Sequence, residues 1–580
     1  MINSIRDFIK LLSNSQKKYF LFLQFLILLM AILETISVFS IAPFIYLISN
    51  PQTFFENNLI NTFIIFFDIN NHKSLIISSG IIILIIFLIS TFVSIYTLNK
   101  LLLFGYECSS KFSVQLYKYY LSKDWKFHTK SNSSKLIKNI SQECDRISDG
   151  IVRQLLIINA RIITAVFIII GLIIYNYILA LISFIIFFSS YYIIYYFAKK
   201  KLSFHGQNIT EKQTERYNIL SESFGSVRDI ILFNTVKKKS EIFENYSEDL
   251  AKSRGVSAVI TIVPKNLIEF IAFSLMILVT ISLFLFYSGD FSLILSIVSV
   301  FGLSSLKILP AFQSVYLCIS ILRNNISALD TIKNDLFNSQ VNIDQNNNRY
   351  NVNNKIDFNS KIIFKNISFK YDFNNIIFEN LNIVINKNDK IGIIGNTGIG
   401  KSTFLNILCG LLYPDTGNIF IDNKELKNED VKKWHKKISL AEQNVFISDS
   451  SLISNIVLGE DNEEINYDLF LKVIKIAELE DFVLNLTDGY NTNLGEKGVL
   501  ISAGQKQRIG IARALYRNPD LLILDEATNA LDFEIEEKIY KNIFKEYSNK
   551  SIIIISHRIK SLNKCNKLYK IENKNISLIS

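Results

Sequence analysis

Six apolar runs, each long enough to carry a helix across a bilayer, which takes about 20 residues, limit what this chain can fold into. They fall at roughly Tyr19–Ile48, Leu75–Leu98, Leu155–Tyr175, Ile178–Ala198, Leu267–Tyr287 and Leu293–Ser314. The first follows a basic N-terminus, yet it is too long for the apolar core of a signal peptide and lacks a small-residue cleavage site, so it is expected to stay in the mature protein. Hydrophobic residues make up 49% of the 580 positions. With that length no single core suffices, and both a membrane part and a soluble part are expected.

The charge is placed as a membrane topology would place it. Lys111, Lys118, Lys123, Lys126, Lys130, Lys135, Lys138 and Arg146 lie between the second and third runs, and Lys199–Lys201 and Lys237–Lys239 between the fourth and fifth. Asn50–Ser74 has only Lys73, and residues 175–177 and 287–291 carry no basic side chain. Lys and Arg accumulate on the cytoplasmic side. The expectation is a multi-pass protein of the inner (cytoplasmic) membrane, with six spans and both termini in the cytoplasm. This topology accounts for the net charge of +10. No basic groove interleaved with aromatic residues is visible of the kind single strands need, so no nucleic-acid partner is expected. Five scattered cysteines, without a CxxC, suggest neither a disulfide framework nor a zinc site.

Both long basic connections space their apolar residues as helices do, as in "YNILSESFGSVRDIILF" from Tyr217 to Phe233. They are expected to run as helices well beyond the membrane. A polar, low-complexity stretch, Asn338–Asn354, cannot bury a core. The expected division is a transmembrane domain at 1–335, a linker at 336–354 and a second domain at 355–580. In that second part the short apolar runs "KIIFKNISFKY", "KIGIIG", "LLILDE" and "SIIIIS" alternate with helical patterns, which predicts an α/β domain with parallel strands. The fold class is therefore a multidomain membrane protein, an all-α six-helix membrane domain followed by an α/β domain.

The second domain carries the chemistry. "GNTGIGKST" comprises Gly395, Asn396, Thr397, Gly398, Ile399, Gly400, Lys401, Ser402 and Thr403, and fits G-x-x-x-x-G-K-[ST] between a strand-like and a helical run. Backbone N–H groups of such a loop wrap phosphates, the helix N-terminus adds positive potential, Lys401 reaches the β and γ groups, and Ser402 can ligate Mg²⁺. "LLILDE" ends in two carboxylates. Asp525 at the strand tip suits the metal, and Glu526 suits orienting or deprotonating the attacking water.

These motifs, in the order Gly395–Ser402, "AEQNVFI", "ISAGQ", "LLILDEAT", "NALD" and "IIIISHR", resemble the nucleotide-binding domain of an ATP-binding cassette (ABC) transporter over Lys355–Ser580. The six spans ahead of it resemble an exporter half-transporter. The resemblance implies ATP and Mg²⁺ as cofactors, and it gives roles to single residues. Tyr371 would stack on adenine, Gln443 would touch Mg²⁺ and water, and His557 would contact the γ-phosphate. Asp532 would act across a dimer, while Ser502, Ala503, Gly504 and Gln505 would close over ATP held by the other subunit. One chain with one copy of each loop then implies a homodimer with two composite ATP sites. Short helical turns around Phe224–Arg228 and in the first connection would transmit the motion. Ala503 stands where a second glycine might be wanted, and its methyl is harmful only if the backbone there needs a positive φ.

Charged residues inside spans are costly and often functional. Glu34, Arg161, Lys265, Glu269 and Lys307 qualify, with Lys265, Lys307 and Glu34 as candidate substrate contacts. Arg161 and Lys265 lie near span ends, where long side chains can snorkel, and Lys265 and Glu269 are four apart, so they can also pair with each other. "ETISVFSIAPFI", "VPKNLIEFIAF" and "LSSLKILPAF" are similar to bacterial flippases for lipid-linked oligosaccharides. That similarity implies translocation of a polyprenyl-diphosphate-linked glycan across the lipid bilayer for glycoconjugate or protein glycosylation, with cationic side chains holding its head group. It also implies a short external helix over Thr53–Asp68 lying on the membrane. Export of a peptide or hydrophobic drug is the alternative within the class, although the first span begins too early for an N-terminal peptidase domain. In another class stands a nucleotide-gated channel or regulator, against which the intact Glu526 and His557 argue. A soluble ATPase acting on DNA or ribosomes is excluded by the six spans.

Overall fold

The structure, a computed structural model, describes Arg6 and residues 10–49, 72–286, 291–348, 356–371, 376–460, 464–495 and 498–579. The external helix expected over Thr53–Asp68 lies outside the described residues. Two compact units divide the chain: Met1–Lys123 with Lys130–Tyr350, and Asp124–Thr129 with Asn351–Ser580.

The described residues of the first unit form helices joined by short turns. Its main elements are α1 (Asn14–Phe39), α2 (Ile41–Ser49), α3 (His72–Leu121), α4 (Arg153–Tyr175), α5 (Tyr177–Gly225), α6 (Val236–Ile262), α7 (Pro264–Phe286) and α8 (Phe291–Asn348). Among the described residues six helical stretches are long and apolar enough to cross a membrane. Large apolar side chains such as Leu84, Leu88 and Phe92 stand exposed on α3, as expected of a surface whose solvent is lipid. The 50 residues of α3 make a rod about 75 Å long at 1.5 Å per residue. The apolar core of a bilayer takes up about 30 Å of that, so the helix runs far outside it. Helix α8 continues to Asn348, so the first part of the stretch expected as a linker is helical.

Breaks between helices have local causes. A proline removes one donor and its ring clashes with the carbonyl four residues back; Pro43 has Phe39 at that position, and α1 ends there. Pro264 opens α7 as its first residue, a place where a missing N–H is harmless. The carbonyl four residues back, Ile260, instead accepts a hydrogen bond from Tyr316 Oη at 2.9 Å. Between α4 and α5 a single residue, Asn176, turns the chain and caps α5 by accepting from Leu179 N at 3.2 Å. The turn expected near Phe224–Arg228 is a break at Ser226 followed by a short helix, Val227–Leu232; the first connection contains another, Trp125–Lys130.

Just ahead of α4 two π-helical stretches, Asn139–Glu143 and Ser148–Val152, interrupt the helix. Glu143 is fully buried there and lies between Lys138 Nζ at 2.8 Å and Arg146 Nη1 at 3.0 Å. Thr214 on α5 accepts from Lys138 at 2.7 Å, and Asn325 on α8 accepts from Arg146 at 3.1 Å. Removing one member of such a buried set costs about 3–5 kcal/mol because a charge is left uncompensated, so this knot ties three helices together.

The second unit is α/β. A six-stranded sheet has the order β10-β9-β3-β8-β7-β6, and a four-stranded antiparallel sheet the order β2-β1-β4-β5. The strands are β1 (Lys361–Lys370), β2 (Ile376–Asn386), β3 (Lys390–Ile394), β4 (Thr416–Ile421), β5 (Lys424–Glu425), β6 (Ile438–Ala441), β7 (Leu521–Asp525), β8 (Ser551–Ile555), β9 (Lys567–Glu572) and β10 (Asn575–Leu578). Three helices matter for the site: α9 (Lys401–Leu408), α10 (Ala503–Tyr516) and α11 (Phe533–Glu546). The β8 run "SIIII" is buried at every position, the pattern of a central parallel strand covered on both faces.

Candidate nucleotide site and membrane cavity

Strands β3, β8 and β7 are parallel neighbours. The loops after them therefore leave the sheet at one edge, the place where open α/β sheets put their ligands. From β3 comes Gly395–Gly400, from β8 comes His557, and from β7 comes Glu526. The loop enters α9 through Gly400, whose φ is +112° and where a Cβ would lie 2.6 Å from Ile377 Cγ2. Both the backbone angle and the space exclude a side chain.

Three functional groups meet at that edge. Lys401 Nζ lies 3.1 Å from Glu526 Oε1 and 2.8 Å from His557 Nε2, and it donates to the Gly395 carbonyl at 3.0 Å. His557 Nε2 is 2.8 Å from the same Glu526 oxygen. The other oxygen, Oε2, accepts from Asn529 Nδ2 at 2.7 Å. Glu526 is buried, and its φ of +48° is a left-handed conformation costing about 1–2 kcal/mol for a residue with a side chain. Such strain is held only where the surroundings dictate it. Burial pushes the Asp525 carboxyl up to about 6, the Glu526 charge adding to it and Lys401 opposing.

Ser402, exposed at the start of α9, and Asp525 offer a hydroxyl and a carboxylate. These are hard oxygen donors that fit Mg²⁺, which characteristically takes few protein ligands and completes its shell with water and phosphate. When bound, Mg²⁺ supplies charge neutralisation at the phosphates. Gln443 is exposed, and its side chain makes no hydrogen bond among the described residues; its carbonyl is 3.5 Å from Gln507 Nε2.

Tyr371 is placed beside the loop but not free of it. Its hydroxyl lies 3.2 Å from Thr403 Oγ1, and its ring meets Phe369 edge-on at 5.1 Å. The stretch Ser502–Gln505 is a helix start. Ser502 Oγ accepts from Gln505 N at 3.2 Å, and Gln505 Oε1 accepts from Ser502 N at 2.7 Å, a reciprocal capping box. Ala503 is the first residue of α10 and is not among the positive-φ residues, so its methyl meets no backbone strain. Gly504 is the tight position: a Cβ there would come within 3.1 Å of Leu531 Cδ2 and 3.2 Å of the Ala530 carbonyl. Asp532 precedes α11 at its N-cap, exposed and without a capping bond from its side chain. Asn396, Thr397 and Gly398 are exposed along the loop, and Ile399 is half-buried.

Comparison with known proteins gives the family. Residues 378–529 match the ABC transporter family, and residues 47–303 match the ABC transporter transmembrane region. The chain belongs to the ABC transporters. An alpha-hemolysin translocation ATP-binding protein of Escherichia coli O157:H7 is 40% identical over 217 residues, 37% of this chain and 30% of that protein. This transporter thus matches under a third of that relative's length. A heterocyst differentiation ATP-binding protein of Nostoc is 27% identical over 455 residues, 77% of this chain and 72% of the relative. In fold, the chain is similar to a bacterial Atm1-family ABC exporter solved with ATP bound, with a TM-score of 0.75 and 18% identity over 95% of this chain and 93% of that one. It is a multi-pass membrane protein with the fold of an exporter half-transporter.

The membrane unit of this ABC transporter encloses a cavity of about 540 Å³ lined by Arg153, Arg161, Lys265, Gln154, Gln313 and Tyr191, among others. Arg153 pairs with Asp149 at 3.3 Å. Arg161 is half-buried and has no hydrogen-bond or ion-pair partner among the described residues. Lys265 is 3.7 Å from Glu269, and Glu269 is also 3.2 Å from Gln313 Nε2, so the pairing weighed from the four-residue spacing is present but loose. A second cleft of about 350 Å³, lined by Ile162, Val166, Phe184, Phe188 and other apolar side chains, shares Tyr191 and Tyr316 with the first. The Tyr191 hydroxyl is shielded and has no hydrogen-bond partner among the described residues. The other two candidates lie elsewhere. Glu34 is buried and accepts from Ser94 at 2.8 Å, and Lys307 is half-buried outside the lining of this cavity.

Sequence reasoning missed Arg153 as a lining residue and Asn529 as a partner of Glu526. A signal existed for the first: Arg153, Gln154, Ile157 and Arg161 all fall within about 100° around one helix, and all four line the cavity. For Asn529 there was none beyond its place three residues after Glu526.

Proposed function

We propose that this transporter is an ATP-driven exporter or flippase that moves a polyprenyl-diphosphate-linked oligosaccharide across the inner (cytoplasmic) membrane, with both termini in the cytoplasm. The observation that carries the substrate reading is the pairing of chambers in the membrane unit. Three cationic side chains, one of them unpaired, line a cavity that adjoins an apolar cleft. An anionic head with a hydrocarbon tail matches that pair. A neutral hydrophobic drug would leave Arg161 desolvated without a counter-charge, an arrangement that costs several kcal/mol.

ATP hydrolysis drives the cycle in this reading. Residues 395–403 wrap the phosphates through backbone N–H groups, and Lys401 offsets charge on the β and γ groups. Glu526 takes or orients the proton of the attacking water as the bond between the γ-phosphorus and its bridging oxygen breaks. His557, already at hydrogen-bond distance from Glu526 and Lys401, holds the γ-phosphate in line. Ser402, Asp525 and Gln443 would hold Mg²⁺, and Tyr371 would stack on the adenine. The exposed Ser502, Ala503 and Asp532, with Gly504 and Gln505, complete the site of a second copy, so the working unit is a homodimer with two composite ATP sites. Export of a peptide is the second reading, favoured by the likeness to the hemolysin translocation protein.

The test is reconstitution in liposomes with a fluorescent lipid-linked oligosaccharide. Flipping should require ATP and should vanish in Glu526→Gln. An active ATPase that flips none of the glycan lipid would overturn the substrate reading. Undiminished flipping by Glu526→Gln would overturn the mechanism.

A further inference from the structure

We infer that Asn529 is the positioning residue of the catalytic base: its side-chain amide fixes the rotamer of Glu526, and its backbone is anchored by a brace between Arg558 and the buried Glu536. This rests on the reading of Glu526 as the group that handles the attacking water.

Glu526 has two oxygens with different company. Oε1 faces Lys401 and His557, both of which have roles of their own on the phosphates. Only Oε2 has a partner without another task, the Asn529 amide at 2.7 Å. Residues 526–529 form a tight turn in which Asn529 N donates to the Glu526 carbonyl at 3.2 Å. Side chain and main chain of Asn529 thus grip the same glutamate. A carboxylate that can rotate away from the water loses most of its value as a base, since proton transfer demands hydrogen-bond distance and alignment.

Asn529 is itself held from behind. Arg558 donates to the Asn529 carbonyl at 3.3 Å and to the Leu531 carbonyl at 3.4 Å. Its charge meets Glu536 Oε2 at 2.6 Å. The other oxygen of buried Glu536 accepts from Thr528 and Ser561, each at 2.8 Å. Arg558 follows His557 directly in the chain. One guanidinium therefore locks the loop that carries Asn529 to the loop that carries His557, so the base and the γ-phosphate contact keep their spacing. A lysine in place of Arg558 would keep the charge but lose the fork that reaches two carbonyls and a carboxylate together.

The experiment uses the full-length transporter in detergent or nanodiscs, measuring ATPase kcat and KM together with nucleotide affinity. Asn529→Asp is the same size but removes the donor and repels Glu526; Asn529→Ser retains a donor. Asn529→Asp should lower kcat about 10- to 100-fold, less than the roughly 10²- to 10⁴-fold worth of the base itself, with KM and nucleotide affinity changed less than about twofold. Asn529→Ser should recover most of the rate. In a Glu526→Gln background, Asn529→Asp should add no further loss. Asn529→Asp with wild-type kcat would overturn the inference, as would loss of nucleotide binding or folding in that variant, which would mark the residue as structural. A wild-type protein that hydrolyses no ATP would instead overturn the proposed function itself.

Discussion

Lys401 and Arg161 are both cations set in the wall of a binding site, and their surroundings are opposite. Lys401 is packed against a glutamate, a histidine and a backbone carbonyl, all within 3.1 Å. Arg161 has no such partner among the described residues, and its neighbours in the cavity are one arginine paired at 3.3 Å and one lysine paired loosely at 3.7 Å. The first cation belongs to a fixed constellation that chemistry needs to within a fraction of an ångström. The second belongs to a diffuse positive field with no fixed partner of its own. One site should therefore fail completely on a single change, the other gradually.

The largest expected effect tests the fixed site. Glu526→Gln should lower ATPase activity about 10²- to 10⁴-fold while nucleotide binding persists, as measured by steady-state turnover and a fluorescent nucleotide titration. A loss of only a few fold would mean that the two sites are alike after all. Next comes the membrane cavity with two charges removed. Arg161→Ala with Lys265→Ala should weaken activation of the ATPase by a glycan diphosphate lipid at least about tenfold, given roughly 1.5–3 kcal/mol for a hydrogen bond to a charged group, and leave basal ATPase unchanged.

The single variants sharpen the contrast within the cavity. Arg161→Ala should shift the half-activating lipid concentration more than Lys265→Ala, because Lys265 is 56% exposed and already shared with Glu269. The worth of such an exposed cation is at most about 1 kcal/mol. Equal shifts would mean that pairing in the structure does not predict the contribution. The smallest expected effect is Ala503→Gly. Glycine is worse than alanine by about 1 kcal/mol inside a helix, and less at its first position, so ATPase should stay within about threefold and the unfolding midpoint should fall by no more than about 3 °C. A greatly raised ATPase would show that the methyl obstructs closure.

The same contrast explains what could be read from the sequence. Wrapping a phosphate takes consecutive backbone N–H groups, so the residues Gly395–Thr403 had to be neighbours in the chain and their spacing announced them. The spans were equally legible, since a helix in lipid must be apolar along its whole length; α4 ends at Tyr175, where the run ended. The cavity left only a partial trace, the face of α4 that bears Arg153 and Arg161, because Tyr191 comes from α5, Lys265 from α7 and Gln313 from α8. Only packing brings them together. Glu34, a charge inside a span, also owes its surroundings to packing: it is buried between α1 and α3 and accepts from Ser94. "SAGQ" held its own lesson, for S-x-x-Q is a helix-start signature, and reading it that way explains why the backbone at Ala503 takes no positive φ. Asn529 was invisible because its value lies in one hydrogen bond to a residue three positions earlier.

The most direct test of the account compares two lipids of equal chain length, a polyprenyl diphosphate and the neutral polyprenol, as activators of ATPase in nanodiscs. The diphosphate should stimulate hydrolysis and the polyprenol should not, and Arg161→Ala with Lys265→Ala should abolish the difference. Equal stimulation by both lipids would contradict this.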